Sequence, residues 1–317
     1  MRDAPAKGEV ARLGGRTMGT TWSALAALAA PEQSNVLTRA IQAALDRVVA
    51  EMSQWERDSD LSRFNRALAG SWHMLPPNFA KVIDEALAMA RLSDGAFDPT
   101  LGRVTEIWGF GAKAIQSLPN DAAITDALAA SGWDKLDFDS GKARLRQPGG
   151  LHLDLSGIAK GFGADQAAAV LRNAGIGAFL LDVGGELVGQ GVKPDGQPWW
   201  VALEDPPGAT LPPFRAALYN MAIATSGNYR RFHDIGGARV SHSLDPRTGR
   251  PLCNNVVSVS VLTASAMRAD ALATALTALG DRAGEFARRH DIAARIIRSS
   301  DGGHSEEITP TLAAMLE

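Results

Sequence analysis

Residues 151–183, LHLDLSGIAKGFGADQAAAVLRNAGIGAFLLDV, mark the point where the chain changes character. LHLDL (151–155) alternates apolar and polar residues as a half-buried strand does. It runs into the small residues of SGIAKGFG, and the Ala-rich stretch 158–174 then reads as a helix. AFLLDV (178–183) follows as a strand. Upstream the signals are mainly helical. Residues 34–53 set Leu37, Ile41, Leu45, Val48 and Met52 three or four apart, with Ser34 as the expected cap. Residues 77–93 repeat the pattern with Phe79, Val82, Ile83, Leu87 and Ala90, and Gly95 lies just past the end. A shorter helix is expected near 120–131. Downstream, PWWVAL (198–203), RAALYNMAIA (215–224) and VVSVSVL (256–262) read as strands, with Pro/Gly loops at 193–198 and 205–213. Helices at 267–279 and 281–290, a strand at 292–298 and a polar tail close the chain. Helices first and strands later, without βαβ alternation, predict an α+β fold. One domain over 1–317 is expected, with 1–16 as a flexible N-terminal segment.

Composition narrows the function. The 317 residues carry 32 Lys+Arg against 35 Asp+Glu, a formal charge of −3. That balance leaves no basic footprint for wrapping nucleic acid. With 45% hydrophobic and 21% charged residues, the chain is globular rather than disordered. The single cysteine, Cys253, excludes an internal disulfide framework and a Cys-rich metal site. No window approaches the roughly 20 apolar residues of a membrane span. No leader is visible, so the expected location is cytoplasmic for the chain as given. It becomes periplasmic or inner-membrane-anchored if a leader has been removed.

Several segments carry chemistry. In DLSGIAKGFG (154–163) a strand ends in small residues and opens a helix, whose free N–H groups and dipole attract phosphate. Lys160 sits in the first turn, against the helix dipole, which points to a bound anion. The alternative is a tight helix–strand corner with a solvated lysine. In RADALATAL (268–276), Asp270 and Thr274 are one helical turn apart and offer hard oxygen ligands suited to Mg²⁺. The alternative there is a dipole-favouring acid and a buried threonine. In SHSLDPRTGRP (241–251), His242 and Asp245 flank a turn and are candidates for proton transfer, or are incidental to a hairpin loop. In DGAFDPTLG (94–102), Phe97 and Asp98 either meet an aromatic ligand or close the core and cap the helix. Met18 and Trp55 offer a thioether and an indole to an aromatic ligand, or to packing.

In their order, eight segments resemble the FAD:protein FMN transferase (ApbE) family. They are MGTTW (18–22), MSQWERDSDLSRFN (52–65), GAFDPTLGRVTEIWGFG (95–111), LDLSGIAKGFGAD (153–165), LLDVGGEL (180–187), IATSGNYRR (223–231), HSLDPRTGRP (242–251) and VSVLTASAMRADALATALTALG (259–280). The resemblance implies a T-fold-like α+β domain with mixed or antiparallel sheets flanked by helices. It implies FAD as substrate, Mg²⁺ as cofactor, and FMN transfer to a threonine or serine of a partner flavoprotein with release of AMP. Position by position, it assigns Met18, Trp55, Ala96, Phe97, Asp98, Asp154, Lys160 and Leu244 to FAD. Asp270 and Thr274 match its metal ligands, with backbone oxygens near Gly157 and Ala273. His242, and second to it Asp98, would take the proton of the acceptor hydroxyl. The alternatives are an Mg²⁺-dependent FAD pyrophosphatase giving FMN and AMP, or a non-catalytic FAD-binding maturation protein.

Overall fold

Met18 and Gly19 both adopt positive φ (49° and 71°), the requirement of a two-residue hairpin turn. The turn joins β1 (Glu9–Thr17) to β2 (Thr20–Leu28), with Thr17 opposite Thr20. The remaining strands of the main sheet are β3 (Phe179–Val183), β4 (Glu186–Gln190), β5 (Met221–Gly227), β6 (Val256–Thr263), β7 (Ala293–Ser300) and β8 (Gly303–Ile308). Their spatial order is their chain order, β1 to β8, and every neighbouring pair is antiparallel. In this computed structural model, residues 6–112, 115, 117–228, 232–235, 238–300 and 303–316 are described, with backbone alone at 232–235, 238 and 239. Tyr229, Arg230 and Arg231 of the 223–231 segment lie outside them.

The long excursion between β2 and β3 holds most of the helices: α1 (Gln33–Met52), α2 (Asp60–Asn65), α3 (Pro77–Leu92), α4 (Gly102–Ile107), α5 (Asp121–Ala129) and α6 (Ala159–Asn173). Two more, α7 (Ala266–Leu279) and α8 (Ala283–Arg289), lie between β6 and β7. Alternation in the strands decides which face each side chain joins. Trp22, Ala24, Ala26, Phe179, Leu181 and Val183 pack against Leu37, Ile41 and Leu45 of α1 and the alanines of α6. Leu180, Leu187, Ile223 and Leu262 project to the opposite face, where the ribbon Trp199–Ala202/Arg215–Leu218 covers them. Apolar on almost every side, α7 is buried between the sheet and α3 and α6. The fold is α+β, with a large antiparallel sheet and a helical layer.

Five local expectations are corrected. Ser34 does not cap α1: the helix begins at Gln33, and the N–H groups of Gln33 and Ser34 bond to the carbonyls of Ala30 and Pro31. LHLDL is extended but makes no ladder. Asn65 holds both backbone groups of Leu153, the Asp154 N–H goes to Pro99, and His152 bridges Leu101 alone. Residues 215–224 are two strands on different sheets, because Asn220 (φ 53°) turns the chain after Tyr219. The polar tail is β8 and a short helix, Pro310–Ala313. Its charge hid a strand whose Glu306 and Glu307 pair with Arg295 and Arg298 of β7. Residues 9–16, expected to be flexible, belong to β1 and pair along their whole length with β2.

Candidate active site

The geometry of the site begins where α6 crosses α7. A Cβ on Gly161 would lie 2.2 Å from the Ala266 carbonyl oxygen, so only glycine allows this approach. Asp165, one turn further along α6, caps α7. Its carboxylate accepts from the Ser265 hydroxyl (2.7 Å) and from the N–H groups of Ala266 (2.9 Å) and Met267 (3.0 Å). The crossing puts Asp270 against the start of α6, where its Oδ2 accepts the Gly161 N–H at 3.0 Å. It also sets Thr274 against Gly157: a Cβ there would be 2.9 Å from the threonine Oγ1.

Lys160 lies in the same first turn and pairs with Glu186, the first residue of β4. Glu186 is 1% exposed, and its Oε2 is buried without a hydrogen-bond partner. Burial raises the Glu186 carboxyl to about 7; Lys160 opposes the rise and Asp270 adds to it. Burial likewise raises Asp270, against the pull of Lys160 and the Gly161 N–H. Two buried carboxylates therefore share one ammonium. With all three ionised the cluster carries one net negative charge, close to a phosphate-attracting helix end.

The hairpin tips of β1–β2 and β3–β4 frame this end of the sheet. The Gly184 N–H donates to the Thr21 carbonyl at 3.1 Å, and the Gly185 N–H to Asp182 Oδ1 at 2.8 Å. Met18 lies over Gly163 of α6, where a Cβ would come within 2.8 Å of its Cε.

A second group adjoins through the loop 153–158. Asp154 accepts the Thr105 hydroxyl at 2.7 Å and the Ser156 N–H at 2.9 Å, while Gln54 donates to the Ser156 hydroxyl at 3.1 Å. That bond ties the segment carrying the half-exposed Trp55 to the loop that leads into α6. Phe97 and Asp98 are both held by contacts within the fold. The Phe97 ring closes the main core. Asp98 ties its own turn, accepting from the Thr100 N–H (2.8 Å), the Thr100 hydroxyl (2.6 Å) and the Trp133 N–H (3.3 Å). Burial raises its carboxyl above the ordinary value. Ala96, partly buried, packs against the same core.

His242 and Leu244 stand beyond α4. Thr105 of that helix bonds Asp154; Trp108 just after it donates to the Gly249 carbonyl at 2.7 Å. The Phe110 ring meets His242 edge-to-face at 6.3 Å, and Leu244 packs on the cluster of Val104, Trp108 and Ile124. Asp245 is taken up by the backbone and guanidinium of Arg247 in the same turn. A line of contacts thus runs from the histidine turn through α4 to the loop that leads into α6.

Sequence reasoning missed Glu186 and Asp165, which bond to Lys160 and to the start of α7 beside the candidate site. Both lie inside quoted segments, LLDVGGEL and LDLSGIAKGFGAD, but a glutamate opening a strand and an aspartate inside a helix carry no signal of their own. The donor set at Asp270, Thr274, Gly157 and Ala273 is all hard oxygen, which suits Mg²⁺ in kind. The Ala273 carbonyl lies within α7, where it is the helical acceptor of the Thr277 N–H, and it also accepts the Thr277 hydroxyl at 2.8 Å, which makes it the most heavily engaged of the four oxygens. Among the described residues no cluster of three or more His, Cys, Asp or Glu side chains is arranged to hold a metal. A cation here would rely on backbone, hydroxyl and ligand oxygens beside the one carboxylate. No helix is long and apolar enough to cross a membrane among the described residues.

Comparison with known proteins identifies the family. Residues 18–296 match the ApbE family. The FAD:protein FMN transferase of Haemophilus influenzae is 35% identical over 305 residues, covering 93% of this chain and 88% of that protein. The protein of the same name from Vibrio cholerae is 35% identical over 314 residues, covering 94% and 90%. Among solved structures, the apo flavinyl transferase ApbE of Pseudomonas stutzeri superposes with a TM-score of 0.89 at 32% identity, covering 97% of this chain and 96% of that one. The flavin transferase ApbE from Vibrio cholerae gives 0.89 at 35%, covering 97% and 99%. With the match spanning nearly the whole chain and the same fold beneath it, this protein belongs to the ApbE family.

Proposed function

We propose that this chain is a flavin transferase that moves FMN from FAD to a threonine or serine hydroxyl of a flavoprotein, releasing AMP. The observation that carries the reading is the convergence of Lys160, Asp270 and Thr274 at the N-terminal end of α6. A pyrophosphate suits such a place, with a positive dipole end, a lysine and hard oxygen ligands together; the N–H groups of Ala159 and Gly161, expected to be free, are taken by the Leu155 carbonyl and by Asp270. The names of the relatives agree in kind with flavin transfer.

In this reading the acceptor oxygen forms a bond to the FMN-side phosphorus. The phosphorus–oxygen bond to AMP breaks, and AMP leaves with the electron pair. His242 takes the hydroxyl proton. Asp98 is the poorer choice, since both its oxygens already accept hydrogen bonds. Lys160 and the positive dipole end of α6 attract the phosphates, Met18 and Trp55 contact the ring systems, and Asp154 and Leu244 border FAD. The 96–98 turn contributes through its backbone. Mg²⁺, held by Asp270, Thr274 and the backbone oxygens of Gly157 and Ala273, would offset negative charge on the pyrophosphate and on the departing AMP oxygen. Holding acceptor and FAD in line supplies much of the remaining acceleration.

The test incubates the purified protein with FAD and Mg²⁺, with and without a flavoprotein domain carrying an acceptor threonine. Intact mass and AMP release are read, with an EDTA control. An FMN adduct on the acceptor that EDTA abolishes supports the transferase. AMP and free FMN without adduct would replace it with a pyrophosphatase, and intact bound FAD with a carrier.

A further inference from the structure

We propose that Ser59 is a positioning residue: through Ser53 it holds the loop that carries Trp55, so that the indole is already in place when the flavin substrate arrives. This rests on the reading of Trp55 as a contact to a ring of FAD.

The loop between α1 and α2, residues 53–59, is pinned at one backbone group after another. The Ser53 hydroxyl oxygen accepts the N–H groups of Trp55 (3.2 Å) and Glu56 (3.3 Å). The Ser53 carbonyl in turn accepts the hydroxyls of Ser59 (2.6 Å) and Ser62 (3.2 Å). Two serines at the start of α2 therefore hold the residue that holds Trp55. The Ser59 N–H closes the loop on the Glu56 carbonyl at 3.1 Å. Further along, Arg66 donates to the Arg57 carbonyl at 2.7 Å and Arg63 to the Asp58 carbonyl. Gln54 fastens the same loop to Ser156.

The backbone is fixed where the largest side chain is open. Ser59 is 2% exposed, and its oxygen also accepts the Ser62 N–H at 3.0 Å as the cap of α2. The Trp55 indole, by contrast, is 51% exposed. Holding an indole still at the surface gains the fold little, because much of its apolar area stays in water. A ligand gains more. A stacking platform fixed in advance spares the complex the entropy of ordering it, a factor of about three to ten in affinity. Without the Ser59 hydroxyl, the Ser53 carbonyl keeps only the longer bond from Ser62, and the Trp55 segment is free to leave its place.

The experiment measures FAD binding, with Mg²⁺ and no acceptor, by isothermal titration calorimetry, whose signal does not need the indole. Wild type, Ser59→Ala, Trp55→Ala and the double variant form a cycle, and melting curves verify that each is folded. Ser53→Ala, which frees the Trp55 N–H but leaves the α2 cap, goes through the same cycle and decides if Ser59→Ala does not fold. Trp55→Ala is expected to weaken FAD by about tenfold, the worth of one stacked ring. Ser59→Ala is expected to weaken it by about three- to tenfold, and the double variant to bind within about twofold of Trp55→Ala. A merely structural serine would not give that coupling, because its loss would weaken binding equally with or without the indole. Wild-type affinity in Ser59→Ala, or a weakening that persists undiminished beside Trp55→Ala, overturns the inference while the reading of Trp55 stands. Wild-type affinity in Trp55→Ala removes that reading and this inference with it. A wild type that binds no FAD removes the proposed function as well.

Discussion

The Gly161 N–H donates to Asp270 Oδ2 at 3.0 Å, and the same glycine is where α6 touches the Ala266 carbonyl of α7. One residue therefore sets both the distance between the two helices and the orientation of the carboxylate. Gly161→Ala would drive a methyl into backbone, which a rotamer change cannot relieve. The expected outcome is a destabilisation of about 1–3 kcal/mol by urea denaturation, with FMN transfer reduced at least tenfold in whatever remains folded. A variant as stable and active as wild type would mean that the crossing can widen freely.

Asp270→Ala is expected to abolish divalent-dependent turnover while leaving the fold intact. The carboxylate is buried and its protonation equilibrium is already displaced upward by burial, so its removal relieves desolvation at the same time as it frees the Gly161 N–H. Turnover with and without EDTA, beside a melting curve, tests both halves. Full activity in this variant would remove the metal-site assignment.

Asp165→Ala removes the cap of a buried helix. Three donors at the start of α7 lose their acceptor together, and the expected loss is about 2 kcal/mol of stability. Asp165→Asn should recover part of it, since an amide oxygen still accepts one of the N–H bonds. Equilibrium unfolding of the two variants decides.

His242→Ala is expected to lower kcat for transfer by about 10²–10⁴-fold with little change in FAD affinity, as loss of a general base does. FAD binding by fluorescence quenching, set against single-turnover adduct formation by intact mass, separates the two. A loss confined to FAD affinity would make His242 a binding residue.

Glu186 should leave a signature in stability against pH. Its folded pKa of about 7 lies above the ordinary carboxyl value of 4.5. Between those values the folded state binds more protons than the unfolded one, so stability falls as pH rises from 4.5 to 7. Measured in EDTA, the wild type should lose up to about 3 kcal/mol more than Glu186→Gln between pH 4.5 and 7.5. Parallel curves would show that Glu186 ionises normally in the fold.

What the sequence by itself determined is what repeats along the chain or is written into a local turn. The helix periods at 34–53 and 77–93 gave α1 and α3 within a residue or so, since an apolar stripe every three or four positions can be buried only as a helix. The order of helices and strands predicted α+β, and the succession of short segments predicted the family. Asp270 and Thr274 were placed on one helix face by their spacing alone. Only the tertiary structure decided what those residues meet. LHLDL has the alternation of a strand, yet its backbone bonds go to the Asn65 side chain and the Pro99 carbonyl, partners far away in sequence. The tail looked merely polar because its charges are answered by arginines on β7, a cross-strand match that no local pattern contains. Glu186, itself buried, acquires its lysine partner because a glycine turn in the sheet and the first turn of α6 come together over a separation of 26 residues. Periodicity fixes which way a side chain faces within its own element. The charge it faces across the core is fixed by packing, and the chemistry of this site depends on that.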